Sequence, residues 1–219
     1  MERLLGIDEA GRGSVLGPLV VGGFLVPADR LEALRTTGAK DSKALSPAAR
    51  ERVYASLPSV GQRFTVVLTP RTIDRAVVQG RLNDLEARAF ARLIRRTSPD
   101  RALVDACDSN AERFGRVVAH LAGGRVPVVA RHHADRDDVL VGAASVVAKV
   151  RRDRAILRLR ERLGEEVGSG YPSDPTTIAF LRAQFGGGGA VPPYVRGSWA
   201  TMKRVKPAVR GVPLEAFER

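Results

Sequence analysis

Two apolar runs open the chain, from about Arg3 to Asp8 and from about Pro18 to Val26, with the glycine-rich Gly11-Arg12-Gly13 between them. Runs this short suit strands, and a glycine turn folds them back on each other, so the chain begins as a hairpin-like pair. Gln62 to Leu68 reads as a third strand, Ala102 to Val104 as a short buried strand closed by Asp105, and Val126 to Ala130 as a fifth. Ser46 and Pro47 form an N-cap with proline at the first helical position, which starts a helix running to about Leu57. Helical spacing recurs over Asp84 to Arg95, Ala111 to Leu121 and Val139 to Leu163. Strands first, then helices alternating with strands, describe an α/β domain with a mixed sheet, antiparallel at its start and parallel later. A helical C-terminal part follows, with a loop at Gly186 to Gly189 and a last short helix around Ser198 to Arg204. The 219 residues suit one large domain.

The longest apolar stretch, Val15 to Val26, is broken by Gly17, Pro18, Gly22 and Gly23 and is too short to cross a bilayer, so no membrane span is expected. No basic leader precedes an apolar helix, which points to a cytoplasmic protein. Cys107 is the only cysteine, excluding intramolecular disulfides and cysteine-based zinc clusters.

The charge is informative: 36 basic against 24 acidic side chains gives +12, and 31 of the basic ones are arginine. Arginine's planar fork matches phosphate oxygens, so a polyanion such as nucleic acid is the expected partner. A GC-rich coding sequence could set the arginine-to-lysine ratio, but it does not explain the net excess. Charge alone names a partner class and no chemistry.

The acids supply the chemistry. Asp8 and Glu9 are consecutive at the end of an apolar strand, where neighbouring side chains point to opposite faces. Asp105 closes another strand, and Asp135 stands just ahead of the long helix. Strand carboxyl ends gather at one edge of an α/β sheet, which would bring three or four carboxylates into one volume. Such a cluster cannot stay fully ionised without compensation, and a divalent cation provides it. Carboxylate-only ligation suits Mg2+ or Mn2+. Two such ions about 3.5–4 Å apart form a clamp for phosphodiester hydrolysis. A basic protein with an acidic pit is thus a nuclease candidate.

Gly11-Arg12-Gly13 offers unobstructed backbone amides to a sugar or phosphate, or is an ordinary tight turn. It has neither the dinucleotide fingerprint nor the P-loop spacing. Lys43, within Lys40-Asp41-Ser42-Lys43, stands on a phosphate or in solvent. Gly168-Ser169-Gly170-Tyr171-Pro172-Ser173-Asp174 caps the next helix or presents Tyr171 to stack where a 2′-hydroxyl is read.

These blocks, in this order, resemble ribonuclease HII, more closely its archaeal than its bacterial form. The resemblance spans nearly the whole chain. It rests on Gly6-Ile7-Asp8-Glu9-Ala10-Gly11-Arg12-Gly13, Asp41-Ser42-Lys43, Leu82-Asn83-Asp84-Leu85-Glu86 and Val104-Asp105-Ala106-Cys107-Asp108. It continues through Ala134-Asp135, the run Ala143 to Val150 with Arg152-Asp153, and Gly168 to Pro175. The resemblance implies a ribonuclease H-like fold with a mixed five-stranded sheet flanked by helices, a catalytic core over 1–165 and a helical region over 166–219 packed on it. It implies endonucleolytic cleavage of RNA hybridised to or embedded in DNA, 5′ to a ribonucleotide, leaving 3′-hydroxyl and 5′-phosphate ends. Ribonucleotide removal and primer removal would be its tasks. Asp8, Glu9, Asp105 and Asp135 would be the metal-binding catalytic acids. Gly11, Arg12 and Gly13 would hold the ribose 2′-hydroxyl and phosphate, Lys43 a phosphate near the scissile bond, and Tyr171 the ribo-to-deoxyribo junction.

This chain departs from the pattern at Arg136-Asp137-Asp138-Val139, where two extra acids flank the expected metal pit. His132 and His133 are expected to be exposed or hydrogen-bonded, since this chemistry uses oxygen ligands, and Cys107 to be a small core residue. The basic stripe Arg151, Arg152, Arg154, Arg158, Arg160 and Arg162 is read as tracking duplex backbone rather than as a solvated face. A non-catalytic binder would explain the charge but not acids at strand ends. The related type HIII ribonuclease normally carries an N-terminal domain for which Asp8 leaves no room. A monomer is expected. Val212 to Phe217 lacks the glutamine of a sliding-clamp peptide, so clamp contact has no support here.

Overall fold

A computed structural model describes residues 1–39, 45–187 and 189–205. Strands β1 (Arg3–Ala10), β2 (Leu19–Pro27), β3 (Gln62–Leu68), β4 (Arg101–Asp105) and β5 (Val128–Arg131) form one sheet in the order β3-β2-β1-β4-β5. The pairs β1–β2 and β2–β3 are antiparallel, while β1–β4 and β4–β5 are parallel. The mixed sheet expected from the strand pattern is what forms. Helices α1 (Leu31–Arg35), α2 (Pro47–Ser56), α3 (Pro70–Val78), α4 (Leu82–Thr97), α5 (Ala111–Leu121), α6 (Ala134–Asp137), α7 (Val139–Leu163), α8 (Pro175–Phe185) and α9 (Ala200–Val205) complete the described chain. Ser46 and Thr69 cap α2 and α3, each with proline in the first turn. No helix among the described residues is long and apolar enough to cross a membrane.

Both faces of the sheet are covered. On β1, Leu5 and Ile7 face the cluster made with Phe90, Leu93 and Phe114 of α4 and α5. The alternate face meets α7, whose Leu140, Ala143, Ala144 and Val147 pack with Phe24 and Val26 of β2. Gly22 permits that approach: a Cβ there would stand 2.5 Å from the Ala144 carbonyl oxygen and 2.6 Å from the Ala148 nitrogen. A third cluster joins Val15, Leu16 and Ile156 to Val167, Phe180, Leu181, Val195 and Met202, so the C-terminal helices share apolar contacts with the segment after β1 and the end of α7.

Candidate active site

The period of two along β1 divides the consecutive acids. Asp8 shares the face of Leu4 and turns toward α7, where the Ser145 hydroxyl hydrogen-bonds its carboxylate. Glu9 shares the face of Leu5 and Ile7, lies in the field of Arg12 and acts on the thiol of Cys107. Because helices cover both faces, neither acid reaches open solvent freely. Burial, with the charges of Asp105 and Asp135, lifts the Asp8 carboxyl to about 7 against the pull of Ser145. Burial again, then Asp8 and Asp105, lifts Glu9 to about 8, with Arg12 opposing. The Glu9 Oε2 atom is shielded and has no hydrogen-bond partner.

Parallel pairing of Ile7 with Val104 brings Asp8 and Asp105 to the same end of adjacent strands. Asp105 accepts a hydrogen bond from the Ala134 N–H at 2.9 Å, which ties the start of α6 to that end. Asp135 follows, only 1% exposed, with the Lys149 Nζ of α7 at 4.0 Å. The fold therefore assembles Asp8, Glu9, Asp105 and Asp135 at one corner of the sheet. Among the described residues, no three Asp, Glu, His or Cys side chains stand close enough to form a finished coordination shell. Of the two extra acids, Asp138 caps α7, accepting from the Leu140 N–H at 2.8 Å, and Asp137 is exposed.

Next to this corner, Gly11 takes a φ of 86°, which bends the chain out of β1. The Arg12 side chain, 33% exposed, is tied to α4. It pairs with the fully buried Glu86 of α4 and donates to Asn83 Oδ1 at 2.7 Å. Asn83 donates in turn to Asp108 at 2.8 Å, and Arg113 grips both Asp108 oxygens. Behind the loop, the fully buried Arg196 donates to the carbonyls of Gly11 (2.7 Å), Arg12 (2.8 Å) and Gly17 (3.2 Å). In a trans peptide the N–H opposes the carbonyl, so the Arg12 and Gly13 N–H groups face away from Arg196.

Tyr171 is brought to the same loop. The Gly170 carbonyl accepts from the Val15 N–H (2.8 Å), the Leu16 N–H (3.1 Å) and the Ser14 hydroxyl (2.8 Å). Arg152 donates to Ser14 Oγ at 2.9 Å and to the Ser169 carbonyl, and its guanidinium lies 4.4 Å from the Tyr171 ring centre. Arg152 is thus buried rather than part of a basic stripe, and Arg154 is paired with Glu51. His132 and His133 are exposed. Cys107 is half-buried against the apolar cluster, its thiol pushed up to about 12 by burial and by Glu9. Lys43 lies outside the described residues, as does Val212 to Phe217. The sequence reasoning gave no role to Ser145, Glu86 or Arg196. Two of them carried a signal: a lone serine in the apolar run from Val139 to Val150, and a glutamate on the apolar side of α4.

A mixed sheet with helices on both faces and an acidic corner at its parallel strand ends defines a nuclease of the ribonuclease H type. The model of a family described as ribonuclease HII matches residues 5–202. A ribonuclease HII from Methanothrix thermoacetophila is 41% identical over 94% of this chain and 98% of its own. The crystal structure of ribonuclease H2 from Pyrococcus horikoshii OT3 superposes with a TM-score of 0.85 at 38% identity, over 93% of this chain and 97% of that one. The ribonuclease HII of Archaeoglobus fulgidus, solved as its complex with PCNA, gives 0.85 at 36% identity, over 98% and 100%. The chain belongs to the ribonuclease HII family, which acts on RNA/DNA hybrids.

Proposed function

We propose that the protein cuts 5′ to ribonucleotides, both in hybrids and singly embedded in duplex DNA, leaving 3′-hydroxyl and 5′-phosphate ends. Asp8, Glu9, Asp105 and Asp135 are the catalytic acids in this reading. One observation carries it: four carboxylates gather at one sheet corner within each other's electrostatic reach, with a shielded Glu9 oxygen that has no hydrogen-bond partner. That all-oxygen set, with two carboxyls lifted by burial and like charge, fits hard divalent ions, Mg2+ or Mn2+. When bound, a pair of such ions supplies Lewis acidity at the attacking water and the leaving oxygen.

The chain's own groups supply the rest. Arg196 orients the Gly11–Gly13 peptides so that N–H groups are offered to the ribose 2′-hydroxyl and its phosphate, while Glu86 and Asn83 hold the Arg12 side chain in place. The Tyr171 ring, steadied by Arg152, packs against the sugar at the ribo-to-deoxyribo junction. Lys43 is assigned to a phosphate on the motif alone. We read the chain as a monomeric core over 1–165 with a helical region packed on it, removing misincorporated ribonucleotides and RNA primers. A pull-down with a sliding clamp tests whether it shares the partner of its Archaeoglobus relative.

The deciding assay uses duplex DNA with one ribonucleotide, in Mg2+ and in Mn2+. The wild-type protein cuts 5′ to the ribonucleotide, and Asp8→Asn binds without cutting. Cutting by Asp8→Asn, or none by the wild type, ends the reading.

A further inference from the structure

Across the Gly17–Pro18 turn from the acids lies a groove of about 540 Å3, lined among others by Gly17, Pro18, Arg71, Arg158, Arg162 and Tyr194, with no acidic residue in its lining. Sheet register locates it. Ala10 pairs with Val20, and Leu19 with Leu68, so Pro18 and the Thr69–Arg71 turn stand at the same sheet edge as Asp8, toward β2 and β3. β1 and β3 are two strand spacings apart, about 10 Å.

Five of the six arginines of α7 fall into two groups. Arg152 is spent on Ser14, Ser169 and Tyr171, Arg154 on Glu51, and Arg160 on Glu166. Arg158 and Arg162, one turn apart on one side of the helix, turn to the groove instead and form no ion pair among the described residues. Arg71 joins them from the start of α3, likewise without an acidic partner among the described residues. Arg162 lies 5.9 Å from the Tyr194 ring centre. Three exposed arginines lining one groove, with Glu165 near Tyr194 as the neighbouring acid, make a site for oxyanions that arrive in a row.

We propose that this groove is a second phosphate subsite, holding backbone phosphates of the bound duplex about three nucleotides from the scissile bond, given about 3.4 Å of rise per nucleotide. It rests on the reading of the acidic corner as the cleavage site, and it assigns Arg158 and Arg162 of the α7 stripe, with Arg71, to the duplex backbone. The subsite gives grip and register, not sequence choice.

The test measures binding alone, in the Asp8→Asn background, with a labelled RNA/DNA hybrid from about 50 to about 200 mM salt. Arg71→Gln with Arg158→Gln is compared with Arg88→Gln with Arg92→Gln, exposed positions on α4 that remove the same charge. The groove pair should weaken binding about tenfold or more and lower the slope of log K against log salt by about 2, with the α4 pair near wild type. On a hybrid trimmed to end at the cleavage site, the groove pair should bind as the parent does. Equal effects of the two pairs, an unchanged slope, or the same loss on both hybrids would overturn the proposal. A wild-type enzyme that fails to cut sinks the cleavage reading instead, which the binding and salt-slope comparison on the untrimmed hybrid does not use.

Discussion

Arg12 shows how a single side chain can serve the fold at a place that the motif assigns to the substrate. Motif position put it at the ribose, but its guanidinium is held by Glu86, whose carboxylate is fully buried. Removing the cation would leave that carboxylate without compensation, so Arg12→Met should cost about 3 kcal/mol or more in urea unfolding, and Arg12→Met with Glu86→Gln should recover much of it. The acids give a pH signature. Asp8 and Glu9 are lifted to about 7 and about 8 in the fold, so between about pH 4 and about pH 8 the folded state holds protons that the unfolded chain has released. Stability of the metal-free protein therefore falls as pH rises through that window. Thermal unfolding should show a higher Tm near pH 5 than near pH 8, a flatter profile for Asp8→Asn, and recovery on adding Mg2+ at the upper end. An unsloped wild-type profile would mean that these acids are solvated.

Among the elements, α7 matters most, because it carries Ser145 to Asp8, Lys149 to Asp135 and Arg152 to Tyr171. It can do so only while pressed against β2. Gly22→Ala would put a methyl into the Ala144 carbonyl, and we expect about 3 kcal/mol of lost stability together with lower specific activity, as α7 lifts away. Asp138→Ala, by contrast, removes a helix cap and should cost about 1 kcal/mol while leaving cleavage intact. A large loss of cleavage would return Asp138 to the metal pit. Several elements were legible before folding: the Ser46-Pro47 start of α2, the turn pattern before β2, the apolar period of α5. Helix α3 was not read, although Thr69-Pro70 carries the same start signal, because Pro70–Val78 is short and four of its first six residues are polar or charged. The fifth strand begins at Val128 rather than Val126, since edge strands end where pairing ends and not where apolar residues do.

At the scale of the whole molecule, the C-terminal region closes the site from behind. Arg196 spans more than 180 positions of sequence to hold the carbonyls of Gly11 and Arg12. Burial lowers its guanidinium to about 10, with Arg152 adding to the effect, yet it keeps its charge at neutral pH. Arg196→Lys supplies a charge but no fork, so cleavage at a single ribonucleotide should drop by up to about 10²-fold through a mispositioned loop. Binding of all-DNA duplex, which depends on net charge, should hardly change. Equal losses in both measurements would make Arg196 a matter of folding alone.

The sequence by itself determined the alternation of strands and helices, the strand ends on which Asp8 and Asp105 fall, and the positive charge that draws a polyanion, because each depends on local periodicity or on composition. Only the tertiary structure decided which charges are spent inside the protein and which remain for a ligand. Glu86 neutralises Arg12, Asp138 is consumed as a cap, Arg152 is buried, and Arg158 faces open space. The physical reason is that a side chain's charge acts through its partners and its dielectric surroundings, and both are set by residues far away along the chain.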